Sequence, residues 1–94
     1  MQLQKLAAEY VAIVYYCIEH GRGLQLERKK QFAIEKPLLC ALLENNLYME
    51  TAEKLDLWKR LHWIECEGRY FTKRVYIQES KVYRRLIVVD LAIH

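Results

Sequence analysis

The chain has one proline and three glycines among its 94 residues, so no stretch is loose enough to link two domains. One domain over residues 1–94 is expected, near the size at which a single core becomes self-sufficient. Cysteines are few, odd in number and widely spaced: Cys17, Cys40 and Cys66. With no CxxC pair, they argue against a disulfide framework and for buried free thiols in a reducing compartment. His20, His62 and His94 lack metal-ligand spacing, so no metal is expected. The longest apolar run, residues 10–18, is about half of what a bilayer requires. No basic leader segment or cleavage site accompanies it, so a signal peptide is not expected. The chain reads as cytoplasmic, without membrane contact. It also lacks a Gly-rich phosphate loop, a nucleophile–base motif and a close acid pair. An enzyme is therefore the least supported class, and no cofactor is implied.

What is present is a large apolar fraction, 53%, with seven tyrosines, enough for a real core. The net charge is only +3, but it is unevenly placed. Residues 1–50 carry six Lys/Arg and six Asp/Glu, whereas residues 51–94 carry nine against six. Within residues 69–85, Arg69, Lys73, Arg74, Lys81, Arg84 and Arg85 face one acid, Glu79. A surplus confined to one segment is the footprint of a polyanion contact.

The hydrophobic periodicity predicts a helix over residues 2–20. Leu3, Leu6, Ala7, Tyr10, Val11, Ile13, Val14, Cys17 and Ile18 fall on its inward face, and Lys5, Glu9, Tyr15 and Tyr16 on the other. Gly21 suits a left-handed cap. Residues 24–36 are ambiguous, with a short strand expected in 24–26 or in 31–34. Pro37 then fits the first turn of a helix that buries Leu38, Leu39, Leu42 and Leu43 and ends at Asn45-Asn46. A third helix is predicted over residues 51–62, capped by Thr51. It turns Leu55, Leu57, Trp58 and Leu61 inward, and Ala52, Glu53, Asp56, Lys59 and Arg60 outward. Trp58 and Trp63, beside Leu55 and Leu61, belong to the core rather than to a base-stacking surface. After a Glu67-Gly68 turn, residues 69–78 and 82–93 read as two strands joined around Glu79-Ser80-Lys81.

This order defines an α+β class. Two short helices across a tight turn, followed at once by a hairpin, resemble a winged helix-turn-helix: three helices with a C-terminal β-hairpin wing. The residues that carry the resemblance are Thr51-Ala52-Glu53-Lys54-Leu55, Trp58-Lys59-Arg60-Leu61-His62-Trp63-Ile64, Glu67-Gly68-Arg69 and Arg74-Val75-Tyr76-Ile77. In that pattern the chain is similar to small winged-helix proteins of Gram-positive mobile elements. It resembles in particular the TcpK-like group, which binds the origin of transfer of clostridial conjugative plasmids and assists the relaxase. The resemblance implies double-stranded DNA as ligand, helix and wing both in contact with it, and a relaxase or other transfer protein as a further partner.

The residue types agree with that ligand. Arg69, Lys73, Arg74, Lys81, Arg84 and Arg85 can neutralise phosphates, and Tyr70, Thr72, Tyr76 and Tyr83 carry hydroxyls suited to phosphate oxygens. On the third helix, Lys59 and Arg60 can reach phosphates or guanine edges, and Ala52 a thymine methyl. Glu53 and Asp56 on the same arc repel phosphate, so the wing is expected to dominate recognition. An exposed strand edge also carries Lys and Arg to block edge pairing, but needs fewer of them and a closer balance. A protein-interaction module that meets an acidic partner through the same hairpin is the rival class. Finally, Leu86-Ile87-Val88-Val89 is apolar on both faces. Either the chain itself covers both, or this strand or the Ala/Tyr face of the first helix makes a homodimer contact.

Overall fold

A computed structural model describes residues 3–26 and 30–91. Three helices pack on a five-stranded antiparallel sheet, so the class is α+β. In chain order the elements are α1 (Leu3–Glu19), β1 (Leu24–Gln25), β2 (Gln31–Ile34), α2 (Lys36–Leu43), α3 (Thr51–Arg60), β3 (Ile64–Glu65), β4 (Lys73–Ile77) and β5 (Val82–Asp90). The alternatives for the second segment both hold, because β1 and β2 pair as an antiparallel hairpin. Residues 2 and 92–93, at the ends of the predicted first helix and last strand, lie outside the described residues.

β5 organises the sheet. Its inner half pairs with β2 (Phe32 opposite Val89, Ile34 opposite Ile87) and with β3 (Ile64 opposite Val89). Its outer half, from Val82 to Leu86, pairs only with β4. Residues 82–85 are all exposed and residues 86–89 all buried, so the β4–β5 hairpin leaves the body of the protein at that boundary. Alternation along β5 sends Ile87 and Val89 to the main core and Leu86 and Val88 to a smaller cluster with Ala33, Leu26, Val75 and Ile77. The chain therefore covers both faces of this strand itself, and its apolar run gives no reason to seek a second copy there.

The main core joins Leu6, Tyr10, Ile13, Val14 and Cys17 of α1 to Leu39 and Leu43 of α2, Leu55 and Trp58 of α3, and the sheet. Tyr10 is its hub. Its ring stands edge-on to Trp58 at 4.7 Å and beside Trp63 at 5.0 Å, and its single hydroxyl proton is shared between the carbonyls of Trp63 and Asp90. Trp58 is fully buried, and Trp63 lines the edge of the same cluster, so both tryptophans pack as the sequence indicated. The inward faces were drawn too wide. Leu3, Val11 and Ile18 on α1 are exposed, and so is Leu61, which caps α3.

Helix ends follow backbone chemistry. Gly21 takes φ +63° beyond α1, where the amides of Gly21 and Arg22 donate to Ile18 and Cys17 carbonyls. α3 closes the same way, with His62 at φ 61° and the Trp63 amide donating to the Trp58 carbonyl. Pro37 lies in the first turn of α2. Thr51 does not cap α3. Glu50 holds the cap position without a side-chain bond, and Thr51 is already helical. Gly23 runs so close to Phe32 and the Ala33 carbonyl that a Cβ would overlap both, which fixes the entry to β1.

The largest departure from the sequence reading is Glu9. The helical period puts it on the outer face of α1, yet it is buried against Lys54 of α3. Lys54 Nζ donates to Glu9 Oε2 at 3.0 Å and to the carbonyls of Leu43 and Asn46, each at 2.7 Å. The ammonium thus uses all three of its protons. Glu9 accepts two further bonds, from Tyr48 Oη at 2.6 Å and Asn46 Nδ2 at 3.0 Å. This network pins the turn between α2 and α3 to α1 and so sets the pose of α3.

Candidate nucleic-acid interface

The hairpin carries the basic surplus on two chemically different faces. Arg74 lies opposite Arg85, and Tyr76 opposite Tyr83. Directly opposed residues share a face, so these four form one strip. Alternation places the strip on the side where Ile87 and Val89 meet the helices. The other face carries Lys73, Val75 and Ile77 opposite Leu86, Arg84 and Val82 and is largely apolar.

Much of the surplus is neutralised by acids from elsewhere in the chain. Lys73 pairs with Glu65 at 2.6 Å, Arg84 with Glu35 at 2.8 Å and Arg85 with Glu67 at 3.4 Å. Glu65 also accepts from Gln31, and Glu67 accepts the Arg74 backbone amide at 2.8 Å. The charged groups of Arg69, Arg74 and Lys81 pair with no carboxylate among the described residues, and all three residues are exposed. Lys81 stands in the hairpin turn with φ 55°. These three are the cations best able to meet a polyanion without first breaking an ion pair.

Thr72 takes a different part from the one its hydroxyl suggested. It is buried, and its Oγ1 accepts from Arg85 Nε at 3.0 Å while its carbonyl accepts from Arg85 Nη2 at 3.3 Å. It orients Arg85, and its burial turns it away from the role of a surface phosphate donor. Tyr76 is exposed, as are Tyr70 and Tyr83, which the strip brings together with the arginines. The Arg85 guanidinium lies 4.8 Å from the Tyr70 ring, Arg74 lies 5.5 Å from Tyr83, and the Tyr76 and Tyr83 rings are 5.1 Å apart.

α3 offers less. Lys59 Nζ donates to the Gly68 carbonyl at 2.8 Å, anchoring the loop that precedes β4, and Arg60 pairs with Asp56 one turn earlier at 2.9 Å. Ala52 is exposed at the start of the helix, but Glu44, Glu50 and Glu53 line the same open groove. Their charges oppose the positive end of the helix dipole where a phosphate would approach. The acids that line this groove come from the end of α2 and the start of α3.

No protein-family model matches the chain, and no curated protein is significantly similar to it in sequence. Among the described residues, no helix is long and apolar enough to cross a membrane.

Proposed function

We propose that the chain is a winged helix-turn-helix protein that binds double-stranded DNA with sequence selectivity, the β4–β5 hairpin acting as its wing. The observation that carries this reading is the exposed hairpin strip, with the Arg74 guanidinium unpaired by any carboxylate among the described residues and Arg69 and Lys81 close by in the chain. The element order supports it: helix, short hairpin, two helices across a turn, a two-residue strand, then a hairpin whose last strand pairs back to β2. Phosphate neutralisation by unpaired cations supplies affinity independent of sequence, and an arginine in a narrow minor groove adds selectivity through shape. The wing leads in this reading because the cations of α3 are already engaged and its first turn is acidic. A role as accessory factor at an origin of transfer, beside a relaxase, or as a regulator on a mobile element, rests on the likeness of residues 51–77 to the TcpK-like group.

The test is an electrophoretic shift series on DNA flanking the coding region, repeated across salt concentrations. Replacing Arg69, Arg74 and Lys81 by Ala should weaken binding to every duplex and flatten the salt slope by about one unit per lost phosphate contact. Unchanged affinity and slope in that variant would move the interface elsewhere. A wild-type chain that binds no duplex but captures an acidic protein would favour the interaction-module reading.

A further inference from the structure

The strip on the hairpin has more aromatic surface than phosphate binding uses. Tyr70, Tyr76 and Tyr83 are 53%, 47% and 64% exposed, and their hydroxyls bond nothing among the described residues. Cross-strand packing accounts for the Tyr76–Tyr83 pair, as such pairs stabilise hairpins. It does not account for Tyr70, which precedes β4 and belongs to no strand. Nor does it explain why guanidinium groups alternate with the rings, Arg69 and Arg85 near Tyr70 and Arg74 near Tyr83. Phenol rings and guanidinium planes are the two side-chain surfaces on which unpaired bases stack. Bases in an intact duplex are stacked on one another and offer no such face.

We propose that the strip receives unpaired bases, so that the preferred ligand is a DNA duplex adjoined by a single-stranded stretch. The duplex meets the cations, and the first unpaired nucleotides lie across Tyr83, Tyr76 and Tyr70. This rests on the DNA-binding reading above and names the form of DNA that the site prefers.

Fluorescence anisotropy on three labelled ligands tests it: a blunt duplex, the same duplex with a thymidine tail, and the same duplex with an abasic tail that has the phosphates but no bases. The thymidine tail should raise affinity about tenfold or more over the blunt duplex, and the abasic tail should not. The gain should also persist when added salt weakens blunt-duplex binding, because stacking releases no counterions. Tyr83→Phe, which keeps the ring, should retain the ratio of tailed to blunt affinity. Tyr83→Leu should lower that ratio severalfold, with melting curves confirming that both variants fold. An equal gain from the abasic tail, or an unchanged ratio in Tyr83→Leu, would overturn the proposal. Binding to the blunt duplex without preference for a tail would refute the stacking role alone, whereas no binding to any of the three would refute the DNA-binding reading as well.

Discussion

Two ion pairs of nearly equal length tie the helices together and the hairpin to them. Lys54–Glu9 spans 3.0 Å between side chains that are 0% and 4% exposed, and Arg84–Glu35 spans 2.8 Å between side chains that are 52% and 53% exposed. The first ties three helical segments together inside the core. The second joins the hairpin to the residue before α2 at the surface. Length alone would make them equals. Solvent separates them: water competes for the exposed pair and can replace either partner, whereas nothing replaces a partner of the buried one. The helical end is therefore built to hold one arrangement, and the hairpin end to exchange its partners.

Removing one member of the buried pair should have the largest effect. Lys54→Met leaves the Glu9 carboxylate and the Leu43 and Asn46 carbonyls without their shared donor. It should cost about 3–5 kcal/mol, read as a shift in the urea midpoint. Replacing Glu9 by Met as well should recover part of that loss, because no unpaired charge then remains. A loss below about 1 kcal/mol in the single variant would make the two ends alike and break the contrast.

A smaller effect is expected at Tyr10, where the core meets the sheet. Tyr10→Phe removes the bonds to the Trp63 and Asp90 carbonyls and should cost about 1–2 kcal/mol at neutral pH. Burial, with the Asp90 carboxylate nearby, pushes the Tyr10 phenol far above its ordinary value. Burial and the hydrogen bond to Glu9 push Tyr48 the same way. The folded state thus holds these phenols protonated, while unfolded tyrosine ionises near pH about 10. Their contribution is fully present below that pH and is lost progressively as pH rises from there through the raised folded values. Denaturant titrations between neutral and strongly alkaline pH should show stability falling above pH about 10, less steeply in Tyr10→Phe. Equal slopes in the two proteins would show that Tyr10 ionises in the folded state.

The smallest effect belongs to the exposed pair. Arg84→Ala should lower stability by less than about 1 kcal/mol in the same urea assay. Added salt should shrink the difference further, since surface pairs are screened. A loss as large as that of Lys54→Met would mean that Arg84 braces the fold.

The same division marks what could be read from the chain alone. Helix positions, both tryptophans, the Gly21 cap and the hairpin turn follow from local patterns of burial period and turn chemistry, which act over a few residues. Glu9 escaped because a carboxylate among Ala, Lys and Tyr reads as solvated. Only its meeting with Lys54, far along the chain, makes burial tolerable. β3 is two residues long and gives no periodic signal of its own; β5 imposes it. The basic segment was legible as composition, but its effective charge was not. Glu35, Glu65 and Glu67 lie outside the segment and reach the hairpin only through the sheet. Thr72 was misjudged for a related reason, because its hydroxyl is claimed by Arg85 across the ladder. Where a side chain's partner lies within a turn of helix, sequence suffices. Where the partner arrives by tertiary pairing, it does not.

The dependence of the sheet on β5 also sets an order in time. A chain is made from its N-terminus at about 5–20 residues per second, so α1, β1 and β2 emerge well before the strand that completes their sheet. Gln31–Ile34 pairs with residues more than half the chain away, and such long closures slow folding. Until Leu86–Val89 is synthesised, the open edge of β2 and the part of the helical core that meets β5 lack their cover. Closure of the sheet is thus deferred until β5 has been made, and a nascent chain stalled before Leu86 presents to chaperones and proteases the surface that β5 would have closed.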